Sequence, residues 1–184
     1  MEKIHIIFTG RMVKEKGIFV LIDAAEELRE DYQDKIDFWL CGGLSNNPNA
    51  ITKKELISKC DGTYIQWLGF RSDIKSLLLQ SSIVAFPSYY REGVPKSLIE
   101  ACAIGRPIIT TNSIGCKDTV EDGFNGFLIP IKDSKALAEK LKILIDNKDL
   151  RTIMGINSRK IAERDFSLDN VIEKHLQIYN KLIS

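Results

Sequence analysis

Ser88-Tyr89-Tyr90-Arg91-Glu92-Gly93-Val94-Pro95-Lys96-Ser97-Leu98-Ile99-Glu100-Ala101-Cys102-Ala103-Ile104-Gly105-Arg106 is the stretch around which the rest of the chain is organised. The short apolar run Ile83-Val84-Ala85-Phe86-Pro87 precedes it and Pro107-Ile108-Ile109-Thr110-Thr111 follows, and both read as buried strands. The order is therefore strand, polar loop, helix, strand. Pro95 suits the first helical position, where its missing N–H is not needed, which leaves the amides of Lys96, Ser97 and Leu98 pointing out of the sheet's carboxyl edge. Such an arrangement takes an anion, with phosphate the natural candidate.

Two carboxylates flank that anion position. Glu92 lies in the loop before the helix, and Glu100, five residues beyond Pro95, falls roughly 7.5 Å along the helix at about 1.5 Å per residue. A carboxylate accepts a fork of two hydrogen bonds from the vicinal hydroxyls of a sugar but repels phosphate, so cations are needed nearby. Arg11 and Lys16 are the candidates, in Thr9-Gly10-Arg11-Met12-Val13-Lys14-Glu15-Lys16-Gly17 after the strand-like Ile4-His5-Ile6-Ile7-Phe8.

Outward from this centre, the chain alternates strand and helix patterns. Strands are expected at Lys3 to Thr9, Lys35 to Cys41 (ending in Gly42-Gly43), Tyr64 to Leu68, Ile83 to Phe86, Ile108 to Thr111 and Gly126 to Pro130. Helices are expected at Gly17 to Glu30, Thr52 to Cys60, Asp73 to Gln80 with Ser72 as its cap, Ser134 to Asn147, Leu150 to Asp165, and Ser167 to the end. Leu44 to Ala50 is a polar loop, and Lys117 to Glu121 a short turn or helix. This is βαβ repetition. It implies an α/β, Rossmann-like three-layer domain with a parallel sheet of about six strands and a helical C-terminal tail, its ligand loops at the strands' carboxyl ends.

The bulk numbers agree with one globular domain. The chain has 184 residues, 44% of them hydrophobic, and 26 Lys and Arg against 25 Asp and Glu leave a formal charge of +1, so no basic field argues for nucleic acid. No apolar run approaches the ~18 residues of a spanning helix and no leader pattern opens the chain, which sets a cytoplasmic location as the expectation. Cys41, Cys60, Cys102 and Cys116 form no C-x-x-C pair and no zinc-like cluster with His5 or His175, so reduced thiols are expected. There is no metal-binding Asp-x-Asp, and no metal site is expected. A dinucleotide-binding oxidoreductase is disfavoured because no G-x-G-x-x-G follows the first strand, and a P-loop because G-K-[ST] is absent.

Glu92-Gly93-Val94-Pro95 with Glu100, seven residues intervening between the two Glu, resembles the signature of the GT-B retaining glycosyltransferases, in their large group-1 (family 4) branch. Gly10-Arg11 with Lys16-Gly17 resembles that family's diphosphate-binding strand end. Gly115-Cys116-Lys117-Asp118 and Glu121-Asp122-Gly123-Phe124-Asn125-Gly126-Phe127-Leu128 resemble its later turn. The motifs occur in family order over nearly the whole chain.

The resemblance covers only the second, nucleotide-sugar-binding domain of a two-domain enzyme. It implies that residues 1–184 are one donor-binding domain, with the acceptor domain absent from this chain and supplied either by the rest of a longer enzyme, which is favoured, or by another chain. It further implies a UDP-sugar as substrate, a hexose or N-acetylhexosamine transferred with retention to a glycan or lipid-linked glycan acceptor, no metal cofactor, and peripheral association of the full-length enzyme with the membrane. Glycan synthesis for lipopolysaccharide O-antigen or another surface polysaccharide is the expected setting. A non-catalytic nucleotide-sugar-binding or regulatory module is the alternative. Glu92 is implied in contact with the sugar, Glu100 with the ribose, and Arg11 and Lys16 on the diphosphate after Gly10. Gly93, Val94, Pro95, Lys96 and Ser97 complete that loop, and Phe70 and Arg71, after Gly69, fall where relatives hold the base largely through backbone.

Two expectations concern packing. Glu100, bracketed by Leu98-Ile99 and Ala101-Cys102-Ala103, reads as a carboxylate on a nearly all-apolar helix, costly unless paired or bound. Leu168, Val171, Ile172, His175, Leu176, Tyr179, Leu182 and Ile183 form an apolar stripe at helical spacing. The stripe is expected to pack on this domain, although in GT-B proteins the last helix crosses to the first domain. His5 and His175 read as core or interface residues.

Overall fold

Six short apolar runs pair side by side in a computed structural model that describes residues 3–47, 50–91 and 93–183. They are β1 (Ile4–Thr9), β2 (Ile36–Cys41), β3 (Ile65–Gly69), β4 (Ile83–Phe86), β5 (Ile108–Thr111) and β6 (Gly126–Ile129). All pair parallel in the order β3-β2-β1-β4-β5-β6. Every residue of β4 and β5 is buried, as a parallel sheet covered on both faces requires.

The helices are α1 (Ile18–Tyr32), α2 (Lys53–Lys59), α3 (Ile74–Gln80), α4 (Lys96–Ile104), α5 (Ser134–Asp146), α6 (Lys148–Asp165) and α7 (Leu168–Ile183), with short 3₁₀ turns at Lys14–Lys16 and Lys117–Thr119. Packing of α1 on α5, and of α4 on α3 and α6, covers the sheet. In α1 the buried positions Leu21, Ala24, Ala25 and Leu28 give the helical stripe read from the sequence. The strand order reverses between β1 and β4, so the loops leaving their carboxyl ends, after Thr9 and after Phe86, diverge around a crevice. Open α/β sheets bind ligands at such a point.

Several boundaries differ from expectation, each for a local reason. Pro95 is the N-cap of α4, not its first helical residue: its ψ of 126° is extended, and its carbonyl accepts from the amides of Leu98 (3.0 Å) and Ile99 (3.2 Å). The Leu98 amide is thus engaged, leaving those of Lys96 and Ser97 at the open end. Ser72 does not cap α3, because Asp73 stands at the N-cap and its carboxylate is gripped by Arg71 (2.7 and 2.6 Å). Thr52 is outside α2 and caps it, its hydroxyl accepting from the Glu55 amide while the Glu55 carboxylate accepts from the Thr52 amide. Asn147 caps α6, which starts at Lys148 rather than Leu150.

The largest departure is α7. Its apolar stripe does not pack on this domain: Leu168, Ile172, Leu176, Tyr179, Leu182 and Ile183 are exposed, and its contacts fall on α6. An uncovered apolar stripe of this length marks an interface. His175 lies exposed on the same helix, so it is not a core residue.

Candidate functional site

A backbone-to-backbone approach that only glycine permits fixes the floor of the crevice. A Cβ on Gly42 would lie 1.7 Å from the Gly10 carbonyl oxygen, so the loop leaving β2 lies directly on the loop leaving β1. The Gly10 amide donates to Cys41 (2.9 Å) and the Met12 amide to Gly43 (3.0 Å), prolonging the β1–β2 ladder past the strand ends. Trp67 locks the same corner by donating from Nε1 to the Gly42 carbonyl (2.9 Å).

Lys16 is brought to this floor by the turn that follows. Gly17 closes the 3₁₀ turn in the left-handed region, φ 79°, and its amide donates to Lys14. A Cβ there would sit 2.0 Å from the Pro87 carbonyl oxygen, which ties the turn to the exit of β4. Lys16 is only 7% exposed, and its ammonium lies 5.2 Å from the centre of the Phe86 ring and 5.4 Å from that of Tyr90. Phe86 is itself stacked on Phe8 at 5.3 Å. A lysine this buried is held by ring faces that attract its charge.

The Ser88-to-Arg91 loop is anchored on both sides. The Tyr89 amide and the Ser88 hydroxyl donate to the Glu15 carbonyl, at 2.8 and 3.3 Å, while the hydroxyls of Thr111 and Ser113 donate to the Ser88 carbonyl. The Lys132 ammonium lies 4.9 Å from the Tyr89 ring centre. The loop therefore sits in a fixed relation to Lys16 on one flank and β5 on the other.

These elements enclose an open cleft of about 440 Å³ at the switch point. Of the residues named from sequence, Gly10, Arg11, Lys16, Phe70, Arg71, Pro95, Lys96, Ser97 and Glu100 all line it. Gly93 and the exposed Val94 do not, and Glu92 lies outside the described residues. Phe70 is 81% exposed at the rim. The Arg71 guanidinium is turned to Asp73, so its side chain is engaged within the protein. The costly-burial argument for Glu100 fails, because the helix turns this residue toward the cleft with 38% of its side chain exposed, 3.5 Å from the Lys96 ammonium. Its place on the wall, rather than desolvation, is what distinguishes it.

Sequence reasoning missed Thr9, Cys41, Gly42, Gly43, Ile74 and Phe86 as lining residues. The doublet Gly42-Gly43 at a strand end was a readable signal of close backbone approach; the others reach the cleft through tertiary placement. The later turn is structural. Buried Asn125 accepts from the Glu121 amide (2.8 Å) and donates to the Thr119 carbonyl (3.0 Å). All four cysteines are free, and burial pushes the Cys102 thiol up to about 12, an inert position. His5 pairs with Asp37 (2.5 Å) and stacks on Trp39 near the amino end of β1, the far edge from the cleft.

Two clefts of about 470 and 700 Å³ open at that opposite edge, lined by Arg106, Lys148 and Arg151. The guanidinium of Arg106 donates to Leu78 and Leu79, and that of Arg151 to Leu144 and Ile145. These contacts satisfy carbonyls at the ends of α3 and α5, a helix-capping role.

A family model described as glycosyl transferases group 1 matches residues 1–161. The chain belongs to the group 1 glycosyl transferases. Its relatives in this family include the Campylobacter jejuni N,N'-diacetylbacillosaminyl-diphospho-undecaprenol alpha-1,3-N-acetylgalactosaminyltransferase, 29% identical over 99% of this chain and 46% of that protein. Another is the capsular polysaccharide biosynthesis glycosyltransferase CapM of Staphylococcus aureus, 33% identical over 96% of this chain and 46% of that one. Among solved structures, Staphylococcus aureus TarM in a complex that includes UDP superposes with a TM-score of 0.84 at 26% identity, over 98% of this chain and 36% of TarM. The present group 1 glycosyl transferase chain spans about half the length of the curated relatives it matches. Among its described residues no helix is long and apolar enough to cross a membrane, and no group of three or more His, Cys, Asp or Glu is arranged for a metal ion.

Proposed function

We propose that this chain is the donor-binding half of a retaining glycosyltransferase that takes a hexose or N-acetylhexosamine from a UDP-sugar and transfers it to a glycan of a bacterial surface polysaccharide. The observation that supports this most is the convergence, in one cleft at the switch point, of two cations, two helix-end amides and one carboxylate: Arg11, Lys16, Lys96, Ser97 and Glu100. Arg11 and Lys16 neutralise the diphosphate without a metal, and the amides of Lys96 and Ser97 add donors at the positive end of α4. As the bond to the sugar breaks, negative charge grows on the departing UDP, and fixed cations act most strongly at that moment. Glu100 accepts from the ribose hydroxyls, the Phe70 and Arg71 backbone faces the base, and Glu92 faces the sugar.

The acceptor and the second wall of the cleft belong to an N-terminal domain, which the exposed stripe of α7 helps to bind. UDP is the nucleotide in the TarM complex, and the C. jejuni relative is named for transfer of N-acetylgalactosamine to a lipid-linked acceptor. By the same reading the full-length enzyme works on the cytoplasmic side, at the membrane surface.

The test separates the acidic pair. Glu100 touches a part of the donor that does not change in the reaction, so Glu100→Gln weakens UDP and UDP-glucose alike, by about tenfold to a hundredfold for a lost charged hydrogen bond. Glu92→Gln leaves UDP affinity within about twofold of wild type while lowering that for UDP-glucose by about tenfold or more. Dissociation constants for both ligands across the three proteins decide it. Equal loss of both ligands in Glu92→Gln, or loss of UDP-glucose alone in Glu100→Gln, reverses the donor's orientation and refutes the assignment.

A further inference from the structure

Thr9 carries the one buried side-chain polar atom with no hydrogen-bond partner among the described residues. The residue ends β1, is 4% exposed, and lines the cleft beside Gly10 and Cys41. Threonines as deeply buried are satisfied. The hydroxyls of Thr110, Thr111 and Thr119 donate to the carbonyls of Phe86, Ser88 and Cys116. An unpaired buried hydroxyl costs the folded chain its desolvation and returns nothing. Valine would fill the same volume on a buried parallel strand without that cost. The hydroxyl of Thr9 is a burden to the empty domain, and what it gains must come from something the empty domain lacks.

Strand geometry indicates which part of a ligand it meets. Thr9 pairs with Cys41 across the ladder, and Cys41, Gly43, Phe70 and Ile74 form the adjoining wall. That wall is the nucleotide end of the cleft, away from the Ser88-to-Arg91 loop. We propose that Thr9 is a further nucleotide contact, its Oγ1 hydrogen-bonding the ribose-diphosphate portion of a bound nucleoside diphosphate. In the empty cleft the oxygen is covered. The contact therefore requires a turn about the Cα–Cβ bond that exchanges hydroxyl and methyl between staggered positions, at no change in volume. The inference rests on the reading of the cleft as a nucleotide site.

Thr9→Val and Thr9→Ser test it, with calorimetric titration of UDP and UDP-glucose and thermal unfolding of the empty chain. Removing an unsatisfied hydroxyl leaves the empty Thr9→Val chain melting at or above the wild-type temperature, while both ligands bind about threefold to tenfold more weakly, the effect of one neutral hydrogen bond. Thr9→Ser keeps wild-type affinity. A purely structural threonine gives the reverse, a lower melting temperature with unchanged affinity, and that result overturns the contact, as does a loss confined to UDP-glucose. A wild-type chain that binds no UDP overturns the nucleotide-site reading itself, and is told apart because wild type and variants then behave alike.

Discussion

Lys16→Met should weaken UDP binding by about tenfold to a hundredfold, the effect expected for loss of a charge-assisted hydrogen bond to phosphate. Methionine keeps an unbranched apolar stem between Phe86 and Tyr90, so packing in the turn is largely preserved and the lost charge accounts for the effect. Chemical unfolding of the empty chain should change by less than about 1 kcal/mol, as for other volume-conserving swaps in a packed site. In the full-length enzyme turnover should fall as well, because charge on the departing nucleotide is greater in the transition state than in the bound donor. An unaltered UDP dissociation constant in Lys16→Met would remove Lys16 from the diphosphate.

The second large effect falls on stability. Gly17→Ala places a methyl group where the backbone is left-handed, φ 79°, and 2.0 Å from the Pro87 carbonyl oxygen. The conformation alone costs about 1–2 kcal/mol. The overlap is with backbone, not with the end of a flexible side chain, so the turn or the exit of β4 must shift. A total loss of about 3 kcal/mol or more is expected, a large fraction of a domain's ~5–15 kcal/mol. Urea unfolding checks it through the transition midpoint, which should fall while the slope is retained. Because the same shift moves Lys16, UDP affinity should drop in the protein that remains folded. A midpoint equal to that of wild type would mean that the Lys16-Gly17 turn is not pinned to β4.

How much of this was legible in the sequence depends on whether a feature is local. Each strand is a short apolar run between turn residues, so all six were readable, and the strand-helix alternation implied a parallel sheet. The cations were readable because Arg11 follows a strand-ending glycine and Lys16 follows shortly after. Thr9, Ile74 and Phe86 were not, since they become neighbours only when the carboxyl ends of β1 and β4 meet the start of α3. Glu100 was singled out for the wrong reason: its neighbours in sequence are apolar, but the rotation of α4 exposes it to the cleft. Ser72 lost its cap role because Arg71 and Asp73 pair across it. The stripe of α7 was correctly read as apolar, yet periodicity cannot say which surface covers it, and here none in the described chain does.

The most direct measurement is a calorimetric titration of the 184-residue chain with UDP in buffer containing a chelator. Wild type should bind one UDP per chain with an affinity that added magnesium does not improve. Arg11→Ala should lower that affinity by about tenfold or more, since the guanidinium can meet phosphate oxygens in a fork. Absence of binding, binding that appears only with magnesium, or binding indifferent to Arg11→Ala would contradict the assignment of this cleft to the diphosphate of a nucleotide sugar.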